Sequence, residues 1–340
     1  MEMTVRLQNR FVTAFIILIS VIGIILIASD WQEMRQVLFN ADWRQLLAVL
    51  LFTIFSYAFY SYAYAVVART LGIGMRKREL AEVCFISTVV NHVLTSGGVV
   101  GYSLRYMLMK MYHVSLRDVL TSSFLHYYLT SLDMLTFLPI SILYLMHQTY
   151  VPRGVIIALG VMTLIFGLFL VLGTVLVIFP SRRRPLIDLV TRYGQKILRR
   201  EWLSWLVQLD ETLTYGTQAF RQRPLTLVWV MLLTLLDFFS SIIAMVFVFE
   251  ALGPPVEAGA LITGYVIGIM AGLLSMVPGG LGVQEGSMAS IYALLGVPLR
   301  QAVLAAILFR LLYYLLPYLL ILPFYNRLLI KAKQQVAIES

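Results

Sequence analysis

The sequence has little charge and almost no cysteine. Only 13% of its 340 residues are Asp, Glu, Lys or Arg, against about 25% in soluble domains. Its single cysteine, Cys84, excludes an intramolecular disulfide framework and a cysteine-ligated zinc site. The four histidines, at 92, 113, 126 and 147, are not spaced as ligands on one helix face. No metal or other cofactor is therefore expected. HExxH, GxSxG and the Walker A loop are all missing, and with them the residues that hold zinc, a serine nucleophile or a nucleotide phosphate. No polar segment is large enough for a soluble catalytic domain. The chain is therefore expected not to be an enzyme, nor to drive transport with ATP by itself. No small-residue cleavage site follows the first apolar run, so no signal peptide is expected.

What the chain does have is apolar sequence. It is 60% hydrophobic, with a mean hydropathy of +0.86. Several runs exceed 18 residues, which predicts an all-α polytopic membrane protein. The formal net charge is +9, and the basic residues flank apolar runs. That pattern suits loops facing anionic lipid and argues against nucleic acid.

The positive-inside rule sets the topology. Basic residues mark the N-terminus, 69–79, 110–117, 181–224 and the tail as cytoplasmic. Loops 29–45 and 251–258 then lie outside. Crossings are expected at 11–28, 46–68, 118–146, 154–179, 225–250 and 301–325. Regions 80–110 and 259–296 do not fit as single crossings, because one crossing at 80–110 would invert every later loop. Each region is instead predicted to enter, break and return as a re-entrant hairpin. The first breaks at Gly97–Gly98. The second breaks where Pro278, Gly279, Gly280, Gly282 and Gly286 crowd together, since Pro lacks an N–H and Gly accepts angles that other residues resist. A helix of twelve residues starting at Glu285 reaches only roughly 18 Å, against a hydrocarbon core of about 30 Å. An extramembrane loop between two ordinary spans is the other reading of this break.

The hairpins resemble one another. VSLRDVL at 114–120 parallels VPLRQAV at 297–303, each after a Gly-Gly break, at offsets of 183 and 182. The expected organisation is one membrane domain over 1–340. Repeat one runs from about 46 to 146, and repeat two from about 225 to 325 in inverted orientation. Between them, 181–224 holds nine basic residues against four acidic ones. Its apolar residues recur at helical spacing, as in a helix or helical pair lying at the cytoplasmic interface; a soluble linker helix is the alternative. Inverted repeats with broken helices place a binding site near the midplane.

Ionisable residues inside membrane segments mark candidate sites. They are Glu82, His92, Arg105, His126, Asp133, Asp237, Glu285 and Arg310. Structural pairing between helices is the alternative for each. Arg105 and Arg310 stand out because guanidinium matches phosphate bidentately and does not deprotonate. Arg105 lies two turns past the first break, near a helix N-terminus that favours anions. Glu285 could start its helix, pair with an arginine or receive a cationic head group. Gly97, Gly98, Gly279 and Gly280 would shape the two breaks. With His126 and Asp237, these residues form the expected substrate-binding set.

The segment PGGLGVQE at 278–285, followed by LLGVPLRQAVLAAILFRLLYYLLP at 294–317, resembles the lysylphosphatidylglycerol synthase transmembrane region family, the flippase-like domain of the multiple peptide resistance factor and its stand-alone relatives. Glu285 matches the motif glutamate and Arg310 the arginine of the following helix. The first hairpin is a looser match. Arg105 falls where the family has an arginine, whereas the usual Gly-Glu reads Gly101–Tyr102 and the usual Glu-Arg reads His126–Tyr127. The resemblance implies lipid translocation; the expected cargo is an anionic or zwitterionic phospholipid or a polyprenyl-phosphate-linked head group, moved through a polar midplane path across the inner (cytoplasmic) membrane, and the basic loops place both termini in the cytoplasm. Two other classes stay open: a non-transporting partner subunit of a lipid or glycan synthase, and an intramembrane enzyme acting on a lipid phosphate. A synthase subunit or a second copy of the chain is the candidate protein partner.

Overall fold

The computed structural model describes residues 36, 39–94, 99–149, 151–194, 200–275 and 277–322. The expected span 11–28, the Gly97–Gly98 break and the tail beyond 322 lie outside them. The described residues are helical throughout: α1 (Trp43–Thr70), α2 (Lys77–Leu94), α3 (Val99–Lys110), α4 (Leu116–His147), α5 (Arg153–Ile178), α6 (Pro180–Gly194), α7 (Arg200–Arg221), α8 (Pro224–Leu252), α9 (Ala258–Ser275), a 3-10 turn at Pro278–Gly280, α10 (Val283–Leu294) and α11 (Leu299–Leu322). Local chemistry sets the starts. Asp42 caps α1 by accepting the Arg44 N–H, at 2.9 Å. Ser115 caps α4 by accepting the Asp118 N–H, at 3.1 Å. Glu79 reaches back to the Arg76 N–H at the head of α2, at 2.9 Å, and Pro224 opens α8.

Six of these helices, α1, α4, α5, α8, α9 and α11, are long and apolar enough to cross a membrane. The protein is an all-α, multi-pass membrane protein. The six differ from the expected set by one member. The expected span 11–28 is outside the described residues, and α9 qualifies in its place. The reason is that an 18-residue helix without a charge meets the length criterion whether it crosses or turns back. Its partner α10, with 12 residues, does not.

The arms of each broken region pack antiparallel. A Cβ at Gly264 would lie 2.2 Å from the Tyr292 ring, one at Gly268 2.2 Å from Met288 Cγ, and one at Gly272 3.1 Å from Gln284 Cβ. The numbers rise along α9 as they fall along α10, so the helices run in opposite directions, with glycine at these three close approaches. Small residues allow this approach where lipid supplies no hydrophobic drive. In the first region, Asn91 meets Gly101 and Ser87 meets Arg105 in the same opposed order. The arm lengths match between regions, 18 and 12 residues in both.

The long helices preceding the two regions, α1 and α8, also pack antiparallel. Asp42 N–H meets the Ala251 carbonyl at one end, Phe52 stacks on Phe247, and Ser56 meets Asp237. The largest core cluster lies between these helices and the hairpin arms, around Tyr64, Met109, Met245, Phe249, Tyr292 and Phe309.

The polar segment 181–224 folds as the helical pair α6 and α7. Arg183 holds it to the end of α5. Its guanidinium donates to the Leu176 and Val177 carbonyls, at 2.9 and 3.1 Å, and to the Asp210 carboxylate and Thr214 hydroxyl, at 2.6 and 2.7 Å. On α6, Leu186, Leu189, Val190 and Tyr193 form an exposed stripe at spacing i, i+3, i+4, i+7.

Candidate functional site

Two polar clusters lie inside the helical core. The first forms where the second break meets α2. Gly279, Gly280 and Gly282 have φ of 60°, 64° and 78°, left-handed conformations that a side chain resists. They reverse the chain in a few residues. A Cβ at Gly279 would lie 2.8 Å from the His92 carbonyl, so the tip sits directly on the end of the first hairpin's long arm. Arg310 bonds both the Gly279 carbonyl and the Glu285 carboxylate. The other Glu285 oxygen accepts the Gly282 N–H at 2.7 Å. Glu285 thus starts its helix and pairs with an arginine at once, which accounts for two of its three expected roles.

Arg310 opens a π-helical stretch, Arg310–Leu315. Pro317 follows and has no N–H to give the Tyr313 carbonyl four residues back. The Tyr57 hydroxyl supplies that bond from α1, at 3.2 Å. The same hydroxyl meets His92 Nδ1 at 2.9 Å. Tyr314 lies under the Arg310 guanidinium, 5.2 Å from ring centre to charge, against the His92 ring, and accepts from Gln284 at 3.1 Å. The Tyr313 hydroxyl bonds Ser56, which bonds Asp237. A chain of hydrogen bonds, closed by an edge-on ring contact and a cation–π contact, therefore runs from Asp237 through Ser56, Tyr313, Tyr57, His92, Tyr314 and Arg310 to Glu285. Asp237, His92, Tyr314, Glu285 and Arg310 each keep some accessible surface, 13% of the Arg310 side chain and 16% of the Glu285 side chain.

The second cluster surrounds Arg105 on α3, which is 4% exposed. Its Nε donates to Ser87 and its Nη1 to Ser123, both at 3.0 Å. Its Nη2 lies 3.4 Å from both Cys84 Sγ and Thr88 Oγ1. The guanidinium sits 4.2 Å over the Tyr64 ring. His126 is buried beside it, edge-on to Tyr60 and Tyr64. Tyr57, Tyr60 and Tyr64 lie on one face of α1 and join the two clusters.

Glu285, Arg310, Gly279 and Gly280 thus come together, with Asp237 on the same polar chain. Arg105 and His126 come together separately. Gly97 and Gly98 are outside the described residues. Of the other ionisable residues flagged in the sequence, Glu82 pairs with Arg78 on the surface, and Asp133 is buried on α4. The tyrosines and the serines around Arg105 were not singled out from the sequence. The signal was there for the tyrosines, spaced i, i+3, i+7 in an apolar helix, but it is shared with ordinary core packing. Among the described residues, no three His, Cys, Asp or Glu side chains converge as a metal site.

A family model described as the lysylphosphatidylglycerol synthase TM region matches residues 11–321, and the chain belongs to that family. No curated protein matches it. The family and the six apolar helices define a multi-pass membrane protein with a role connected to membrane lipid.

Proposed function

We propose that this protein is a lipid translocase. It moves a phospholipid or lipid-linked phosphate head group along the polar chain between two re-entrant hairpins of an inverted repeat in the cytoplasmic membrane, with both termini inside. One observation carries this reading. Ionisable and hydroxyl side chains from both broken regions meet where the Gly279 tip touches α2, and several keep accessible surface. Polar groups at membrane depth are costly unless they line a path or a cavity. In this reading the Arg310–Glu285 pair closes the second-hairpin end of the path. The equal arm lengths and the antiparallel pairing of α1 with α8 support the inverted repeat. On α5, Leu164, Leu168, Phe169 and Leu172 are exposed; lipid, a second copy or a synthase subunit would cover them.

The test uses proteoliposomes containing acyl-labelled lipid and a membrane-impermeant quencher. Wild type is expected to expose inner-leaflet lipid, without a new lipid product. Arg310→Gln is expected to fold and lose that activity, and Arg310→Lys to regain part of it, because an ammonium cannot bridge two acceptors in the guanidinium's planar geometry. Breaking a purely structural buried pair costs about 3–5 kcal/mol, and removing both partners relieves it. If Arg310→Gln and Glu285→Gln are each unstable while the double mutant regains both stability and translocation, the pair is scaffold and its place in the path is wrong.

A further inference from the structure

The two clusters differ in charge balance. In the second hairpin the Arg310 charge is neutralised by Glu285, whose other oxygen accepts a backbone N–H. In the first, every hydrogen-bond partner of Arg105 is a neutral hydroxyl or thiol. No carboxylate among the described residues pairs with it. Arginine stays protonated and offers five N–H donors. Burying such a charge without a counter-charge is strongly unfavourable. A second observation points the same way. His126 is fully buried, and neither ring nitrogen makes a hydrogen bond of normal geometry, although the Tyr60 backbone lies beside it. The cluster thus holds a surplus cation and a further polar ring, and lacks an anion. Of the side chains touching the guanidinium, Tyr102 alone is half-buried, at 5.9 Å, so it marks the side open to a ligand.

We propose that the Arg105 cluster binds the phosphate of a net-anionic lipid, a phosphate ester whose head group carries no amine, and that zwitterionic head groups are excluded. The exclusion follows from the carboxylates. Glu285 has both oxygens engaged and Ser56 holds one oxygen of Asp237; neither these nor Asp133, whose second oxygen is buried without a partner on α4, hydrogen-bonds to the Arg105 guanidinium, so no acid is paired beside the phosphate to receive an amine. This proposal rests on the translocase reading and gives that path its selectivity.

The test compares acyl-labelled phosphatidylglycerol with acyl-labelled phosphatidylcholine in the same proteoliposomes. Phosphatidylglycerol is expected to cross at least about tenfold faster, as when a site's buried polar group must find its partner. Arg105→Gln is expected to abolish that preference. Equal rates would overturn the charge rule and leave translocation standing, with Asp237 as the amine receptor. If neither lipid crosses, the translocase reading fails, and binding alone decides this proposal. Phosphatidylglycerol should then raise the melting temperature of the detergent-purified protein, phosphatidylcholine should not, and Arg105→Gln should lose the shift. An equal shift from inorganic phosphate would place a free anion, not a lipid, in the site. If Arg105→Gln does not fold, Arg105→Lys is expected to show a reduced preference, and an unchanged preference would overturn the proposal.

Discussion

His113 is the only described residue other than glycine with positive φ, at 58°. It ends α3. Its N–H bonds the Lys110 carbonyl at 2.9 Å, and the next N–H, of Val114, bonds the Met109 carbonyl at 3.3 Å. This is a Schellman ending, where glycine is the usual residue. The left-handed conformation costs a side-chain residue about 1–2 kcal/mol, of which glycine gives back part through chain entropy. His113→Gly is therefore expected to stabilise the protein by about 0.5–1 kcal/mol, seen as a higher melting temperature in detergent. A lower one would mean that the imidazole makes a contact worth more than the strain. Nothing in KMYHVS announces this ending, because the usual glycine signal is missing. The Arg310–Glu285 pair was expected from two in-membrane charges near one break. The lack of a counter-charge at Arg105 was not, because it depends on what five other side chains bring to one point.

At the scale of elements, the glycines on α9 and α10 look alike in sequence and differ in the fold. Gly264, Gly268 and Gly272 face α10 at every fourth position, whereas Gly286 has nothing within 4 Å of where a Cβ would stand. Gly268→Leu is expected to force the arms apart and cost about 1–3 kcal/mol, with the Gln284 carbonyl and Met288 in its way. Gly286→Ala is expected to be neutral or to stabilise by up to about 1 kcal/mol, through helix propensity. Thermal unfolding of the two variants in parallel checks both. Similar losses from the two would mean that α9 and α10 do not pack in this register. The break itself was legible from Pro278 and its glycines. The antiparallel closeness of its arms was not, because a Gly every fourth residue marks an approachable face and not its partner.

At the scale of the whole molecule, Ser56 and Asp237 stand at the same position along their helices, since α1 and α8 begin 181 residues apart, as do these two residues. They bond each other where the antiparallel helices cross. In the proposed inverted repeat, the pseudo-twofold axis in the membrane plane would pass close to them. The topology that follows is testable with single cysteines in a Cys84-free background. Cysteines replacing Gly74 and Val190 are expected to react with a membrane-impermeant reagent from the cytoplasm, and those replacing Gln32 and Glu257 from outside. Labelling of 74 and 257 from the same side would defeat the inverted arrangement. Within this frame, composition and local pattern determined the membrane class, the long apolar helices, the break at Pro278–Gly282 and, Glu82 apart, the ionisable residues that fall in the core. Those are properties of a residue and its near neighbours, and lipid penalises exposed backbone and charge so heavily that composition decides them. Only the tertiary structure decided that Arg183 meets Asp210, that Tyr57 completes the helix Pro317 interrupts, and that Arg105 meets no acid among the described residues. Each depends on the register between helices far apart in the chain, which packing of side chains sets and local pattern does not carry.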